Sequence, residues 1–174
     1  MFVKDFIDEY ERYRLIGERA LAQVSGDGLN RVVAPDGNSV AMLVRHISGN
    51  FTSRFTNFLT SDGEKPWRNR DDEFAEGTYS RAEVDETWTA GWRVLNAELR
   101  NLTEDDLART VTIRGQALTV HAALSRSLAH VAMHVGQIVL LARILATKDW
   151  QWISIPKGQS QQYNQKPTLE KRPE

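Results

Sequence analysis

The chain has 174 residues, a length that is most simply explained by one domain with a sizeable core. Hydrophobic residues make up 41% of it and charged residues 26%, as is ordinary for a soluble globular protein. The 22 basic and 23 acidic side chains give a formal net charge of −1, so no bulk charge draws the chain to nucleic acid or to an anionic membrane. Because there is no cysteine, disulfides, thiolate metal sites and a cysteine nucleophile are excluded.

The N-terminal segment MFVKDFIDEYERY mixes acidic residues among its apolar ones, which is not typical of a signal or transit peptide. No apolar run reaches the ~18 residues of a transmembrane helix without polar interruption. Even residues 131–145 contain His134, Gln137 and Arg143. We therefore expect a cytoplasmic protein with no membrane or nucleic-acid partner.

Two helices are predicted in the first third of the chain, where apolar residues recur every three or four positions. The first covers about residues 3–24 and is ended by Gly26 and Gly28. A turn cluster follows, and Asn38 or Ser39 is the expected N-cap of a second helix over about residues 40–59. Its predicted buried stripe consists of Val40, Val44, Ile47, Phe51, Phe55 and Phe58.

A long polar connection over residues 60–79 leads to the third helix. It is too long for a tight link between neighbouring helices, so we expect it to cross over one end of a bundle. Trp67, Arg68 and Arg70 are candidates for lining the entrance of a pocket. The other interpretation is that the tryptophan pins the loop to the core while the arginines are solvated.

The third helix is predicted to begin at a capping box formed by Ser80 and Glu83. Its two tryptophans, Trp88 and Trp92, are one turn apart and are expected in the core. The period then changes to two in the runs RTVTI and ALTV, which predicts a small β-hairpin with its turn near Gly115.

The fourth helix is predicted over residues 118–147, and its histidines give the chain its clearest chemistry. His130 and His134 are four residues apart, so they lie one turn from each other on one flank of the apolar stripe. His46 lies on a similar flank of the second helix. His121, near the start of the fourth helix, is expected to lie outside this set.

Three imidazoles from two helices can hold one metal ion and leave a coordination position open for water or substrate. Such ligands suit Zn, Ni, Cu or Fe, and we expect a divalent transition metal, Zn or Ni. The alternative is that His46, His130 and His134 are core-edge side chains satisfied by ordinary hydrogen bonds.

Polar residues accompany the histidines at helical spacing. Asn50 and Arg54 follow His46 at successive steps of four, and Gln137 comes three residues after His134. We expect Asn50, Arg54 and Gln137 to orient metal ligands or to bind a cofactor or a carboxylate. Arg126 is a further candidate, although an exposed helix charge is the simpler interpretation of it.

The tail after the fourth helix is apolar at first, since Trp150, Trp152, Ile153 and Ile155 can dock on the bundle. From about residue 165 the composition favours disorder. The predicted domain therefore covers residues 1–164, and residues 165–174 are predicted to form a disordered tail.

The histidine segment HVAMHVGQI, together with His46, resembles the DinB-like superfamily, whose fourth helix commonly reads His-x-x-x-His-Val-Gly-Gln. The segments HISGNFTSRFTNFLTSDGEKPWRNRDDEF and SIPKGQSQQYN are similar to a DinB-like subfamily of unknown function. The resemblance covers residues 1 to about 165. It implies an all-α four-helix bundle with a crossover connection, a divalent metal on His46, His130 and His134, and frequently a homodimer.

The resemblance also implies a class of activity. DinB-like proteins of known activity are similar to thiol transferases and isomerases that use bacillithiol, mycothiol or glutathione, whereas others have no demonstrated activity. Our leading hypothesis is a metal-dependent enzyme that activates a low-molecular-weight thiol for transfer to a small electrophile. The alternatives are metal-assisted hydrolysis and a non-catalytic metal-binding or stress-response dimer. No catalytic residue beyond the ligands is predicted.

Overall fold

The structure is a computed structural model that describes residues 2–146 and 149–168. Its elements, in chain order, are α1 (Phe2–Leu21), α2 (Gly26–Leu29), α3 (Val40–Phe55), α4 (Arg70–Glu73), α5 (Arg81–Asn101), a 3₁₀ turn (Asp105–Ala108), β1 (Thr110–Ile113), β2 (Gln116–Thr119), α6 (Val120–Leu145) and α7 (Ser160–Gln165). The four long helices α1, α3, α5 and α6 form the predicted bundle. The predicted hairpin precedes the last long helix, so the predicted fold class is confirmed.

The bundle packs as two helix pairs, α1 against α6 and α3 against α5. Gly91 on α5 brings the α3–α5 pair close together, since a Cβ on it would come within 2.6 Å of the Ser48 Cα. The core between the pairs contains the predicted apolar stripes, and Trp88 and Trp92 are buried in it as predicted. Its largest fully buried side chains include Tyr10, Phe51, Phe55, Leu95, Leu124 and Ile138.

Capping explains where two of these helices begin. Ser39, one of the two predicted N-caps of α3, accepts a hydrogen bond from the Met42 backbone N–H at 3.2 Å. Ser80 and Glu83 form the predicted capping box of α5. The C-terminal ends of α1 and α3 come earlier than predicted, at Leu21 and Phe55. After α3 the backbone leaves the helix at Thr56 and turns left-handed at Asn57.

The hairpin lies beside the end of α3 and is joined to the long connection. Its two-residue turn, Arg114 and Gly115, has φ of 53° and 71°, as the primed turns of tight hairpins require. Both backbone N–H groups of this turn donate to the Asp62 carboxylate at 2.8 Å. The Gly63 N–H donates to the Thr112 carbonyl at the same distance. These bonds fix the start of the connection on the hairpin.

The remainder of the connection turns back along α3 as well as linking it to α5. Its short helix α4 packs on α3. Arg45 of α3 donates to the Asp72 and Ala75 carbonyls and so ties down the segment around α4. The consequence is that a polar loop covers the part of α3 that carries His46.

The C-terminal segment docks on α1, as predicted from its apolar residues. Ile153 is buried, and Arg19 donates to the carbonyls of Trp152 and Ile153 at 2.8 and 3.1 Å. The short helix α7 then follows, a helix that the sequence did not predict. Residue 165 ends α7, and residues 169–174 lie outside the described residues, so the domain limit at residue 164 and the disorder of the tail stay predictions.

Helix α6 is long and apolar enough to cross a membrane by length and composition alone. In the structure it packs against α1 and α3 as a core helix of the bundle. One buried face of α6 contributes Leu124, Val131, Val135 and Ile138 to the core. A core helix of a soluble protein meets the same length and composition test, so this feature is weak evidence for a membrane protein.

A candidate metal centre

The three histidines predicted as ligands meet between α3 and α6. The Nε2 atom of His130 lies 3.0 Å from Nε2 of His46 and 3.1 Å from Nε2 of His134. One ring nitrogen from each of the three lies within 4.8 Å of the others. His46 and His134 are buried and His130 is half-buried. The helical spacing of four on α6 and the packing of α3 against α6 are what bring the rings together.

The orientation of His46 is set by a carboxylate from the loop. Its Nδ1 lies 2.8 Å from Oε2 of Glu73, and both side chains are buried. An ionised carboxylate can only accept, so Nδ1 donates, and in the neutral ring Nε2 keeps its lone pair. The Phe74 ring lies against the His46 ring with centroids 4.6 Å apart. The bond to Glu73 therefore directs Nε2 of His46 at the other two histidines.

Arg68 holds Glu73 in this position. Its Nε and Nη2 atoms donate to Oε1 and Oε2 of Glu73 at 2.8 and 2.9 Å, a bidentate pair. Burial acts to raise the pKa of Glu73, but the hydrogen bonds from His46 and Arg68 outweigh it, and the pKa is lowered. Glu73 is thus a carboxylate in the folded protein, as the hydrogen bond from His46 requires.

Gln137 plays the corresponding part for His134. The His134 Nδ1 lies 2.7 Å from Oε1 of the Gln137 amide, so Nδ1 donates and Nε2 again keeps its lone pair. Burial lowers the pKa of His134, with His46 and Arg70 acting in the same direction and the Gln137 hydrogen bond opposing them. His134 is therefore a neutral imidazole whose lone pair points into the cluster.

His130 completes the set. Burial, followed by the neighbouring His134 and His46, lowers the pKa of His130 to about 3, so the ring is neutral at pH 7. Its Nδ1 is buried and has no hydrogen-bond partner among the described residues. A neutral His130 has at most one proton to place between two facing lone pairs, so at least one of those lone pairs has no donor.

A divalent cation would satisfy this arrangement. Two imidazole nitrogens bound to one Zn²⁺ at about 2.0–2.1 Å in tetrahedral geometry lie about 3.3 Å apart. The observed separations from the His130 Nε2, 3.0 and 3.1 Å, are close to that value. A ligand histidine that donates its other ring nitrogen to a carboxylate or amide oxygen is the usual support of a bound metal. The three side chains therefore fit a metal ion.

The other predicted polar residues lie in two different places. Asn50 and Arg54 line a cavity of about 190 Å³ that begins at His46 and His130, and Arg126 lines it too. Arg54 also donates to Oε2 of Glu64 at 3.0 Å and to the Gly63 carbonyl. Gln137 is exposed and lies outside this cavity, where it orients His134.

The sequence left two interpretations open for the loop residues Trp67, Arg68 and Arg70, and the structure places these three residues in different environments. Trp67 is 58% exposed, so it neither pins the loop to the core nor lines the cavity. Arg68 is buried against Glu73. Arg70 is exposed, lies over the Phe74 ring at 4.9 Å from its centroid, and lines the cavity. His121 is exposed on α6 and contacts Phe6, outside the cluster as predicted.

Glu73 and the role of Arg68 are the parts of the site that the sequence did not predict. Glu73 stands in the run DDEF, where three consecutive acids precede Phe74. Only the third of them is buried, and neither hydropathy nor spacing in a polar loop indicates which acid turns inward. The available signal was the aromatic residue that follows it, because an apolar side chain in a polar loop often docks on the fold.

The helical bundle has the fold of a known DinB-like protein. The structure resembles the crystal structure of a DinB-like protein from Bacillus cereus ATCC 10987, with a TM-score of 0.59 over 86% of this chain and 97% of that chain. At 16% sequence identity this likeness shows the fold alone. Residues 1–159 match the family described as "Protein of unknown function (DUF1572)", and the chain belongs to that family. None of the curated proteins matches it.

Proposed function

We propose that this protein is a metal-dependent enzyme in which His46, His130 and His134 hold a divalent transition metal, Zn or Ni, that activates a low-molecular-weight thiol for transfer to a small electrophile. The observation that carries the proposal is the convergence of the Nε2 atoms of the three histidines. In His46 and His134 the other ring nitrogen, Nδ1, is hydrogen-bonded to Glu73 and Gln137, respectively. A divalent ion in such a site lowers the pKa of a bound thiol, so that the thiolate nucleophile is present at neutral pH.

The open surroundings of the cluster support a reaction more than a purely structural ion. The cavity lined by Asn50 and Arg54 reaches His46 and His130 from one side. A wide surface groove, lined in addition by Phe74 and Met133, reaches all three histidines. A site closed by protein ligands would be typical of structural zinc. Two approaches to one ion suit a reaction between two molecules.

Hydrolysis by a bound water is less well supported than thiol transfer. A hydrolase of this kind needs a general base within reach of the water. Glu73 is bound by Arg68 and His46, and Glu64 is bound by Arg54 and Arg114. Neither carboxylate lines the cavity. A thiol with its pKa lowered by the ion needs no such base.

The cytoplasm is part of this proposal, because low-molecular-weight thiols are kept reduced there. We further propose that the protein works as a homodimer in which α6 packs against its copy. Leu140 and Ile144 are apolar, 61% and 58% exposed, and lie one turn apart on one face of α6. Gly136 lies on the same face, and a side chain on it would meet nothing within 4 Å in the single chain.

A thiol-transfer screen tests the proposed reaction. Purified protein loaded with Zn²⁺ or Ni²⁺ is given glutathione, bacillithiol or mycothiol together with a panel of small electrophiles, and consumption of the free thiol is followed. The expected result is faster consumption with protein and metal together than with either alone, and loss of the acceleration in His134→Ala. If no thiol reacts faster than in the metal-only control, the proposed reaction is wrong.

A further inference from the structure

Arginine dominates the cavity beside the histidine cluster. Its lining residues include five arginines and no acidic residue, although the whole chain has a formal net charge of −1. The arginines are Arg54, Arg68, Arg70, Arg114 and Arg126. Such a concentration of one charge sign in a partly enclosed space creates a strong local potential, and it attracts ligands of the opposite sign.

The nearby carboxylates neutralise this charge only in part. Glu64 lies 3.0 Å from Arg54 and 3.2 Å from Arg114. Glu73 is bound to Arg68 and is shared with His46. Glu64 and Glu73 therefore form ion pairs with three of the five cavity arginines, Arg54, Arg68 and Arg114.

Arg70 and Arg126 have no carboxylate partner in the part of the chain that the structure describes, and Arg126 has no hydrogen bond there either. Arg54 shows the consequence of the crowding. Burial lowers its pKa; Glu64 opposes that effect, while the charges of Arg68 and Arg114 add to it. The cavity thus holds a surplus of cations whose mutual repulsion an anion would relieve.

Two of the arginines, Arg54 and Arg126, lie at the end of the cavity away from the histidines, whereas Arg68 and Arg70 lie close to His46 through their contacts with Glu73 and Phe74. Arg54 follows His46 by eight residues on α3, about 12 Å along the helix at 1.5 Å per residue. Arg126 precedes His130 by four residues on α6, about 6 Å along that helix. Between these ends the walls are formed by the Asn50 amide, the Ser127 hydroxyl and apolar side chains, among them Phe55, Phe58, Ile113 and Ala123.

The size of the cavity limits its occupant. At about 190 Å³ it is smaller than the ~300–1,000 Å³ of pockets for drug-sized ligands. We infer that it binds a small organic anion, whose carboxylate or phosphate group is held by Arg126 and Arg54 and whose other end lies against His46 and His130. This inference rests on the proposed function in assigning that anion as the electrophile, with the thiol approaching through the surface groove that reaches all three histidines.

Binding of two probe anions to the full-length protein tests the inference. Succinate and inorganic phosphate are titrated calorimetrically at constant ionic strength, with the protein as purified and after removal of metal by a chelator. We expect saturable binding of at least one probe, one per chain, in both preparations. Preference for succinate identifies a carboxylate ligand, and preference for phosphate a phosphorylated one. The absence of saturable binding by either probe in both preparations would overturn the inference.

Two charge-matched variants locate the binding. Arg126→Gln removes a cavity arginine that supports no ion pair, and we expect it to weaken binding of the preferred probe at least tenfold. Arg143→Gln removes an arginine of the same helix that is exposed, as Arg126 is, but lies outside the cavity, 17 residues and about 25 Å further along. We expect it to change the affinity less than twofold, and thermal melting checks that both variants are folded. Equal weakening by the two variants would show only general charge attraction and would contradict the inference.

The two proposals can fail separately. If the anion binds at the cavity but no thiol is transferred, the anion site stands and the proposed reaction falls. If thiol transfer occurs with any electrophile and Arg126→Gln leaves its KM and kcat unchanged, the proposed reaction stands and this assignment of the cavity falls.

Discussion

His46 donates from Nδ1 to Oε2 of Glu73 at 2.8 Å, and this bond aims the opposite nitrogen of the same ring at His130 and His134. The partner is not on a bundle helix. It comes from α4, a four-residue helix in the long connection after α3. The loop therefore takes part in the site by fixing the tautomer and direction of one ligand.

The first prediction concerns this bond. Glu73→Gln keeps the size of the side chain but removes the charge that Arg68 and His46 share. Loss of such a supporting partner typically weakens metal binding ~10- to 100-fold. We expect a decrease of that size in the affinity for Zn²⁺, measured by competition with a chromogenic chelator. Glu76→Gln, an exposed acid three residues later, is the matched control and should bind as wild type does. Equal affinities for the two variants would contradict the assigned role of Glu73.

The second prediction uses the absence of a side chain at Gly49. A Cβ there would come within 2.7 Å of the Glu73 Cδ, so Gly49→Ala must displace the carboxylate from His46. We expect weaker Zn²⁺ binding in this variant as well. In a Glu73→Ala background the same change should instead leave affinity unaltered and stabilise α3 by up to ~1 kcal/mol, because alanine is the better helix former. A double-mutant cycle of Gly49→Ala and Glu73→Ala, read by chelator competition and thermal melting, measures the coupling between the two positions. Additive effects of the two mutations on Zn²⁺ affinity would contradict a contact between residue 49 and the Glu73 carboxylate.

The third prediction concerns the stability of the metal-free protein against pH. The folded-state pKa of His130 is lowered to about 3, whereas an unfolded histidine has a pKa of about 6.5. The unfolded chain therefore binds the proton first as pH falls. The stabilising contribution of neutral His130 is complete above pH ~6.5 and is lost progressively between pH ~6.5 and 3.

Urea unfolding of the chelated protein at a series of pH values checks this, with His130→Gln as the comparison. The variant should show a smaller fall in the free energy of unfolding over the range from pH 6.5 down to 5. If wild type and variant lose stability in parallel, His130 is not the group that titrates.

The fourth prediction concerns the exposed face of α6. In a monomer, Gly136→Ala meets no neighbour and should raise the free energy of unfolding by up to ~1 kcal/mol through helix propensity. In a dimer that packs two α6 helices closely at this glycine, the added methyl group should weaken association. Light scattering across a concentration series should show a dimer for wild type and more monomer for Gly136→Ala. A wild type that stays monomeric, or a variant that dimerises equally well, would remove α6 as the interface.

The sequence predicted the bundle because its local signals agree with one another. The helical period of α3 and α6, the caps at Ser39 and Ser80 and the change to period two before α6 all favour the same fold. The convergence of His46 with the α6 histidines was also open to prediction, since each lies on a flank of an apolar stripe. The distances between the three rings and the tautomers of the rings depend on tertiary packing, which no local sequence pattern contains.

The connection between α3 and α5 marks the limit of prediction. Arg68 and Glu73 are polar residues in a polar loop, so local hydropathy favours solvent for both. They are buried because each satisfies the other and because His46 gives the carboxylate a donor. Such mutual satisfaction depends on long-range contacts. The ends of α1 and α3 were predicted a few residues too late, at residues 24 and 59 instead of Leu21 and Phe55. For α1 the reason is also a long-range contact, since Val24 pairs with Ala146 rather than continuing the helix.

The measurement that tests the central claim most directly is the metal content of the purified, untagged protein and of His46→Ala and His134→Ala. Elemental analysis is combined with gel filtration to establish that all three are folded. We predict about one divalent transition metal per chain in wild type, taken up on addition of Zn²⁺ or Ni²⁺ if it is lost in purification, and none in either variant. A wild type that holds no metal and takes up neither ion would contradict the claim, and the three histidines would then be buried side chains of the bundle and nothing more.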